Sequence, residues 1–167
     1  MPLSDDLQPE EIDIMQRVSD LPLDHLANSV ATNIWRAAQE LKSKTERTIL
    51  RQFELSWGSF STLFIIWIWG PIETRDIAKS QNVTKGTITS TVSLLEKRGL
   101  CLRRQGEADR RLVTVELTSA GQQLIEEVYP IFNQSESALV SELSTQEQET
   151  LVHLLRKAVK SMRNQGN

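Results

Sequence analysis

The chain has 167 residues, is 39% hydrophobic and 25% charged, and carries a net charge of −3, the profile of a soluble globular domain with appended helices. A chain of this length buries enough surface to fold without disulfides; its single cysteine, Cys101, excludes a disulfide scaffold or a multi-cysteine zinc site and fits a reducing, cytoplasmic setting. The longest apolar run, Leu63 to Trp69, is far short of the ~20 residues that span a bilayer, and Asp5, Asp6, Glu10 and Glu11 stand where a signal peptide carries Lys or Arg, so membrane and secreted classes are excluded.

Residues 1–22 form an acidic extension with Pro2, Pro9 and Pro22; Ile12, Met15 and Val18 share a face and predict a short helix over 10–18. Leu23, Leu26, Val30, Ile34, Ala37 or Ala38 and Leu41 step by three and four, predicting one long amphipathic helix to about Arg51. Its basic end (Lys42, Lys44, Arg47, Arg51) suits the helix dipole. Ser56 is a candidate N-cap for a second helix, with Phe60, Leu63, Phe64 and Trp67 inward, stopped by Gly70-Pro71. A short helix over 74–80, a Gln81-Asn82-Val83 turn, and a helix from Thr84 to Gly99 follow. Cys101 to Gln105 and the alternating Leu112 to Leu117 predict a hairpin with a polar tip at 106–110. Thr118 caps a helix over 119–143, kinked by Pro130. Ser144 and Glu147 have capping-box spacing and open a last helix to about Arg163, with Leu151, Leu154, Leu155, Ala158 and Met162 inward.

A short helix, a three-residue turn and a second helix make a helix-turn-helix, and the hairpin after it makes it winged. The predicted fold is mainly α with a small β-hairpin wing. Residues 1–22 are the extension, 23–53 an N-terminal dimerisation helix, 54–118 a winged helix-turn-helix DNA-binding domain, and 119–167 C-terminal dimerisation helices.

Charge supports this division. Residues 73–111 hold nine Lys/Arg against five acids, while residues 1–72 hold six against ten and residues 112–167 four against seven. A basic centre between acidic arms is expected where one region meets phosphate and the others do not. In the second helix of the motif, Ile88, Val92 and Leu95 form the inward stripe. Six of the ten residues from Thr84 to Ser93 carry hydroxyls, although threonine is a mediocre helix former. Hydroxyls can bond phosphates, and threonine methyls can touch thymine methyls. Lys85 adds charge at the helix N-terminus, and Gly86 leaves room for a close backbone. Thr84, Lys85, Thr87, Thr89, Ser90 and Ser93 are therefore the candidate major-groove or phosphate contacts. Arg103, Arg104, Arg110 and Arg111 arm the hairpin for a narrow minor groove, with Asp109 as an orienting partner for a guanidinium.

These residues resemble the MarR family of bacterial transcription regulators. The resemblance covers about Leu23 to Met162 and rests on Thr84-Lys85-Gly86-Thr87, Leu94-Leu95-Glu96-Lys97-Arg98-Gly99-Leu100, Asp109-Arg110-Arg111 and Leu117-Thr118-Ser119-Ala120-Gly121. It implies that Asp109 and Arg111 sit in the wing, with the arginine entering the minor groove. It also implies a homodimer formed by the first and last helices, bound to a pseudo-palindromic operator. The family often takes a small aromatic or anionic effector between arm and DNA-binding lobe, for which Trp35, Trp57 and Phe60 are the candidates here. The acidic stretch before Leu23 exceeds what the family core needs.

The resulting expectation is a cytoplasmic, homodimeric repressor released by an effector. The alternatives are a winged-helix protein-interaction module without DNA binding, which has no use for Arg111, or a redox- or metal-responsive regulator. Oxidant-responsive relatives carry their sensing cysteine near the N-terminus, where this chain has none, and Cys101 reads as a buried structural thiol. His25 and His153 lack metal-ligand spacing, so no metal is expected. No glycine-rich phosphate loop, nucleophile elbow or HExxH motif points to an enzyme, and no cofactor is expected.

Overall fold

The computed structural model describes residues 7–105 and 113–165. The chain divides into two compact units at the Leu41–Lys42 junction.

In the first unit, helix α1 (Pro9–Val18) has proline at its first position, where the missing N–H costs nothing. Helix α2 (His25–Thr48) starts in this unit and ends in the next. Asp24 Oδ1 caps it by accepting the Ala27 N–H at 2.9 Å. Glu11 ties α1 to α2. Its carboxylate accepts Asn33 Nδ2–H at 2.5 Å and the Gln8 N–H at 3.2 Å, with Arg36 at 3.4 Å. The apolar stripe Leu23, Leu26, Val30 and Ile34 of the amphipathic pattern is exposed.

The second unit is built around α3 (Trp57–Trp69). Ser56 caps it through the Ser59 N–H at 3.2 Å. Phe60, Thr62, Leu63, Ile65 and Ile66 are all buried, so the helix is covered almost all round rather than along the single expected face. Before it, α2 stops at Thr48 and the chain tightens into a 3₁₀ turn, Leu50–Phe53, instead of running helical to Arg51. The tightening turns Leu50 and Leu55 into the core and leaves Glu54 left-handed at φ 53°.

Strand β1 (Ile72–Glu73), helix α4 (Thr74–Gln81) and helix α5 (Lys85–Lys97) follow. Asn82 turns the chain between the helices in the left-handed region, which asparagine tolerates. Gly99, at φ 70°, ends α5 as expected of a glycine past a C-cap. Strands β2 (Cys101–Gln105) and β3 (Val113–Leu117) pair antiparallel, Cys101 opposite Leu117 and Arg103 opposite Val115. The two-residue β1 adds to β3, giving sheet order β1-β3-β2, which the sequence reading had as a hairpin alone.

Helix α6 (Ser119–Leu139) is capped by Thr118, which accepts the Gly121 N–H at 3.0 Å. A Cβ at Gly121 would lie 1.8 Å from the Leu100 carbonyl oxygen, so only glycine lets α6 approach so closely. Pro130 lies inside α6, which ends at Leu139 rather than Leu143. Helix α7 (Thr145–Gln165) opens with the expected capping box, the Ser144 N–H donating to Glu147 at 2.8 Å. Its apolar stripe is not inward: Leu151, Leu154 and Met162 are exposed and only Leu155 is half-buried. The core is Leu50, Leu63, Ile77, Ile88, Val92, Leu95, Val115, Ile125 and Val128, all fully buried. Among the described residues no helix is long and apolar enough to cross a membrane.

Candidate nucleic-acid interface

Helix α5 is seated by Ile88, Val92 and Leu95, which sink into the core and fix which face looks outward. Thr84 caps it, accepting the Thr87 N–H at 3.2 Å, and the two threonine hydroxyls meet at 2.8 Å. Thr84, Lys85, Thr87, Thr89 and Ser90 are exposed and Ser93 is half-buried. The hydroxyls differ in what they offer. Thr89 Oγ1 donates to the Lys85 carbonyl at 2.9 Å, which leaves its methyl and lone pairs for a partner. Ser93 Oγ accepts from Arg103 at 3.1 Å, so its own proton is available to donate outward.

The C-terminal end of α5 is held from two sides. Arg98 donates to the carbonyls of Glu54 at 2.7 Å and Phe53 at 3.0 Å, bracing the helix on the 3₁₀ turn. Glu96 grips β2: it accepts the Arg103 backbone N–H at 3.0 Å and pairs with the Arg103 guanidinium. Arg103 also donates to the Thr89 carbonyl at 3.2 Å. Arg104, on the opposite face of the strand, is 65% exposed and pairs with Glu116. Asp109, Arg110 and Arg111 lie outside the described residues.

The sequence reading named Glu96 and Arg98 only as part of the family motif and gave neither a role. For Glu96 a signal existed. Residues two apart on a strand share a face, so Arg103 points the same way as Cys101, which lies beside apolar neighbours. An inward arginine needs an acid, and Glu96 is seven residues away. Arg98 bonds backbone carbonyls, which every residue has, and no side-chain pattern marks them.

Cys101 is buried, its Sγ 3.8 Å from the Val92 carbonyl oxygen. Burial, with the Glu96 charge nearby, pushes its thiol up to about 11, against a smaller opposing effect of Arg103. A thiol so held is a poor nucleophile at neutral pH. Among the described residues no three His, Cys, Asp or Glu side chains gather as a metal site.

The aromatic candidates are placed apart in character. Trp35, on α2, is 63% exposed. Phe60 is buried, its ring centroid 4.6 Å from that of Phe132, and Trp57 is half-buried at 6.0 Å from Phe132. Tyr129, Phe64 and Trp67 extend this cluster. The Trp57 backbone N–H donates to the Glu46 carboxylate at 3.0 Å, which fixes the start of α3.

Residues 55–113, from the start of α3 to the start of β3, match the family model of the MarR family. A relative in Bacillus subtilis, named as the uncharacterized HTH-type transcriptional regulator YwaE, is 38% identical over 159 residues, covering 93% of each chain. The chain belongs to the MarR family. Among solved structures, the MepR–DNA complex of S. aureus superposes with a TM-score of 0.71 at 28% identity, over 78% of this chain and 96% of MepR. BpsR of Bordetella bronchiseptica, described as regulated in DNA binding by 6-hydroxynicotinic acid, gives the same TM-score and identity over 78% of this chain and 98% of its own. As a MarR-family protein the chain is a DNA-binding transcription regulator of winged-helix fold rather than an enzyme.

Proposed function

We propose that this MarR-family regulator is a homodimeric repressor that acts in the cytoplasm on a pseudo-palindromic operator. Thr84, Lys85, Thr87, Thr89, Ser90 and Ser93 of α5 meet the major groove or its flanking phosphates. Arg103, Arg104, Asp109, Arg110 and Arg111 serve the wing, with Arg111 at the minor groove. The observation that carries the reading is the division of α5 into a fully buried Ile88–Val92–Leu95 stripe and an exposed hydroxyl-rich face. A helix so braced presents its outer face as a rigid reader.

Dimerisation is supported by the exposed apolar stripes of the arm helices, Leu26, Val30 and Ile34 on α2 and Leu151, Leu154 and Met162 on α7. Two readers on one dimer reach half-sites about one DNA turn, ~34 Å, apart. Release follows when a small aromatic or anionic effector favours a dimer with the wrong spacing, through its differential affinity for the two states. BpsR, with its 6-hydroxynicotinic acid, supports an effector of this class; the candidates to meet it are Trp35 on the arm or, separately, Trp57 with the buried Phe60 behind it.

Fluorescence anisotropy of the full chain against its own upstream intergenic DNA and a scrambled duplex, across a salt series, tests the reading. Preference for the upstream DNA, with log K falling steeply against log salt, is the expected result. Equal, weak binding to both duplexes by a confirmed dimer would overturn the autoregulatory operator. Unchanged operator affinity in saturating small aromatic acids would remove them as the effector class.

A further inference from the structure

The two adjacent arginines of β2 face opposite ways. Arg103 stands opposite Val115, which is fully buried, and shares the inner face of the sheet with Cys101. Arg104 stands opposite Thr114 on the outer face. The inward arginine is met by three residues of α5. One oxygen of Glu96 takes its backbone N–H at 3.0 Å and the other takes its guanidinium. The Thr89 carbonyl and Ser93 Oγ take the guanidinium's second nitrogen at 3.2 and 3.1 Å. Both charged side chains are about two-thirds covered, at 30% and 27% exposure.

A carboxylate that holds both the main chain and the side chain of one residue fixes that residue in position and in rotamer. Charge-assisted, forked bonds are the strongest and most directional of the hydrogen bonds available here. In sequence, the strand so held leads into the segment carrying Arg110 and Arg111. By contrast the Arg104–Glu116 pair is exposed on the Arg104 side, and such pairs yield readily to a polyanion.

We propose that Glu96 and Arg103 form a positioning pair that sets the wing against the recognition helix, and that Arg103 works through this pair rather than by touching DNA. Arg104 is the strand arginine that turns to the phosphates. The pair also sets Ser93, whose oxygen is occupied by Arg103 and whose proton therefore points away, toward an acceptor on DNA. This rests on the assignment of α5 and the wing to the two grooves.

The test uses the full chain, with Glu96→Gln and Arg103→Lys, on a duplex that the unaltered protein selects from random-sequence DNA. Methylation protection of guanine N7 reports α5 in the major groove, and hydroxyl-radical protection of the flanking backbone reports the wing. Both variants are expected to keep the N7 protection and lose the flanking protection. They should bind about tenfold more weakly, the size of one lost specific contact, with a shallower salt dependence. Retained flanking protection and full affinity in Glu96→Gln would overturn the pair as a positioning device. Tighter binding by that variant would overturn it too, since it would show a released Arg103 reaching DNA. Arg103→Lys keeps the charge and loses the fork, and carries the same comparison if Glu96→Gln does not fold. Absence of flanking protection in the unaltered protein would instead remove the wing from the DNA reading, leaving the N7 result to stand alone.

Discussion

Helices α5 and α7 are both amphipathic, and the structure treats their apolar stripes in opposite ways. On α5, Ile88, Val92 and Leu95 are buried within the chain. On α7, Leu151, Leu154 and Met162 lie open. The period is alike in the two, so the 3.6-residue pattern identifies a face that needs cover without saying whose atoms supply it. The α5 stripe belongs to the stability of one winged unit. In the proposed dimer the α7 stripe belongs to the assembly, and its energetics then depend on concentration.

The sharpest way to break this contrast is a matched pair of truncations. Leu95→Ala empties a fully buried position and is expected to cost about 2–5 kcal/mol. Urea denaturation should show that loss at every protein concentration. Leu154→Ala, at an exposed position, should cost little at concentrations where both proteins are monomeric and progressively more as concentration rises and the proposed dimer forms. Equal, concentration-independent losses would mean that α7 is covered within its own chain and that the contrast is false.

A charge on the α7 stripe acts on function rather than folding. Leu151→Asp with Leu154→Asp is expected to give a folded monomer in sedimentation velocity. Its operator affinity should fall about a hundredfold or more, since the second half-site contact ceases to be intramolecular. Non-specific binding per protomer should change far less. A dimer that survived both aspartates would move the interface elsewhere.

Next in size is the cap of the reader itself. Thr84→Ala removes the acceptor for the Thr87 N–H, with an expected loss of about 1 kcal/mol. Thr84→Ser keeps the oxygen and should recover the stability. A difference between the serine variant and the native protein in DNA binding alone would isolate the threonine methyl, which sets the reader's polar face apart from its cap.

Legibility in the sequence divides along the same line. The winged unit was readable because its signals are local: Ser56, Thr84 and Thr118 as caps, Gly99 as a left-handed stop, alternation in β3. Strand β1 was missed because two residues carry no period, and they become a strand only by pairing with Val115 and Thr114. The 3₁₀ turn was missed because a helical period continues through Leu50, and only burial of Leu50 and Leu55 forces the tighter winding. At the site, the hydroxyl-rich helix was visible as composition. The division of labour between Arg103 and Arg104 was not drawn, because four arginines on a hairpin read alike until the pleat is applied to them. The stripe of α7 was correctly periodic and was read as the inner face of a dimerisation helix; within one chain it is open, since an amphipathic pattern is the same for a core and for an interface.

The smallest effect tests the first unit, where the acidic extension meets the arm. Glu11 is held below the usual carboxylate range, chiefly by the Asn33 side-chain bond, then by the Gln8 N–H, with Arg36 adding to them against the cost of burial. A carboxyl lowered on folding contributes stability above its unfolded pKa and loses it as pH falls through the lowered one. Docking of α1 should therefore be constant near neutrality and weaken on the acid side, from the ordinary glutamate range down through the lowered pKa. Amide exchange in α1, followed down a pH series, should show this opening in the native chain and a flat response in Glu11→Gln, which keeps a hydrogen-bond acceptor for Asn33 but has no proton to gain. If the glutamine variant opened with the same acid profile, Glu11 would not be the clip. The extension would then have to be held by its apolar residues, Ile14, Met15 and Val18, which are half-buried, and the first unit would follow the logic of α5 rather than supplying its own ionic tie.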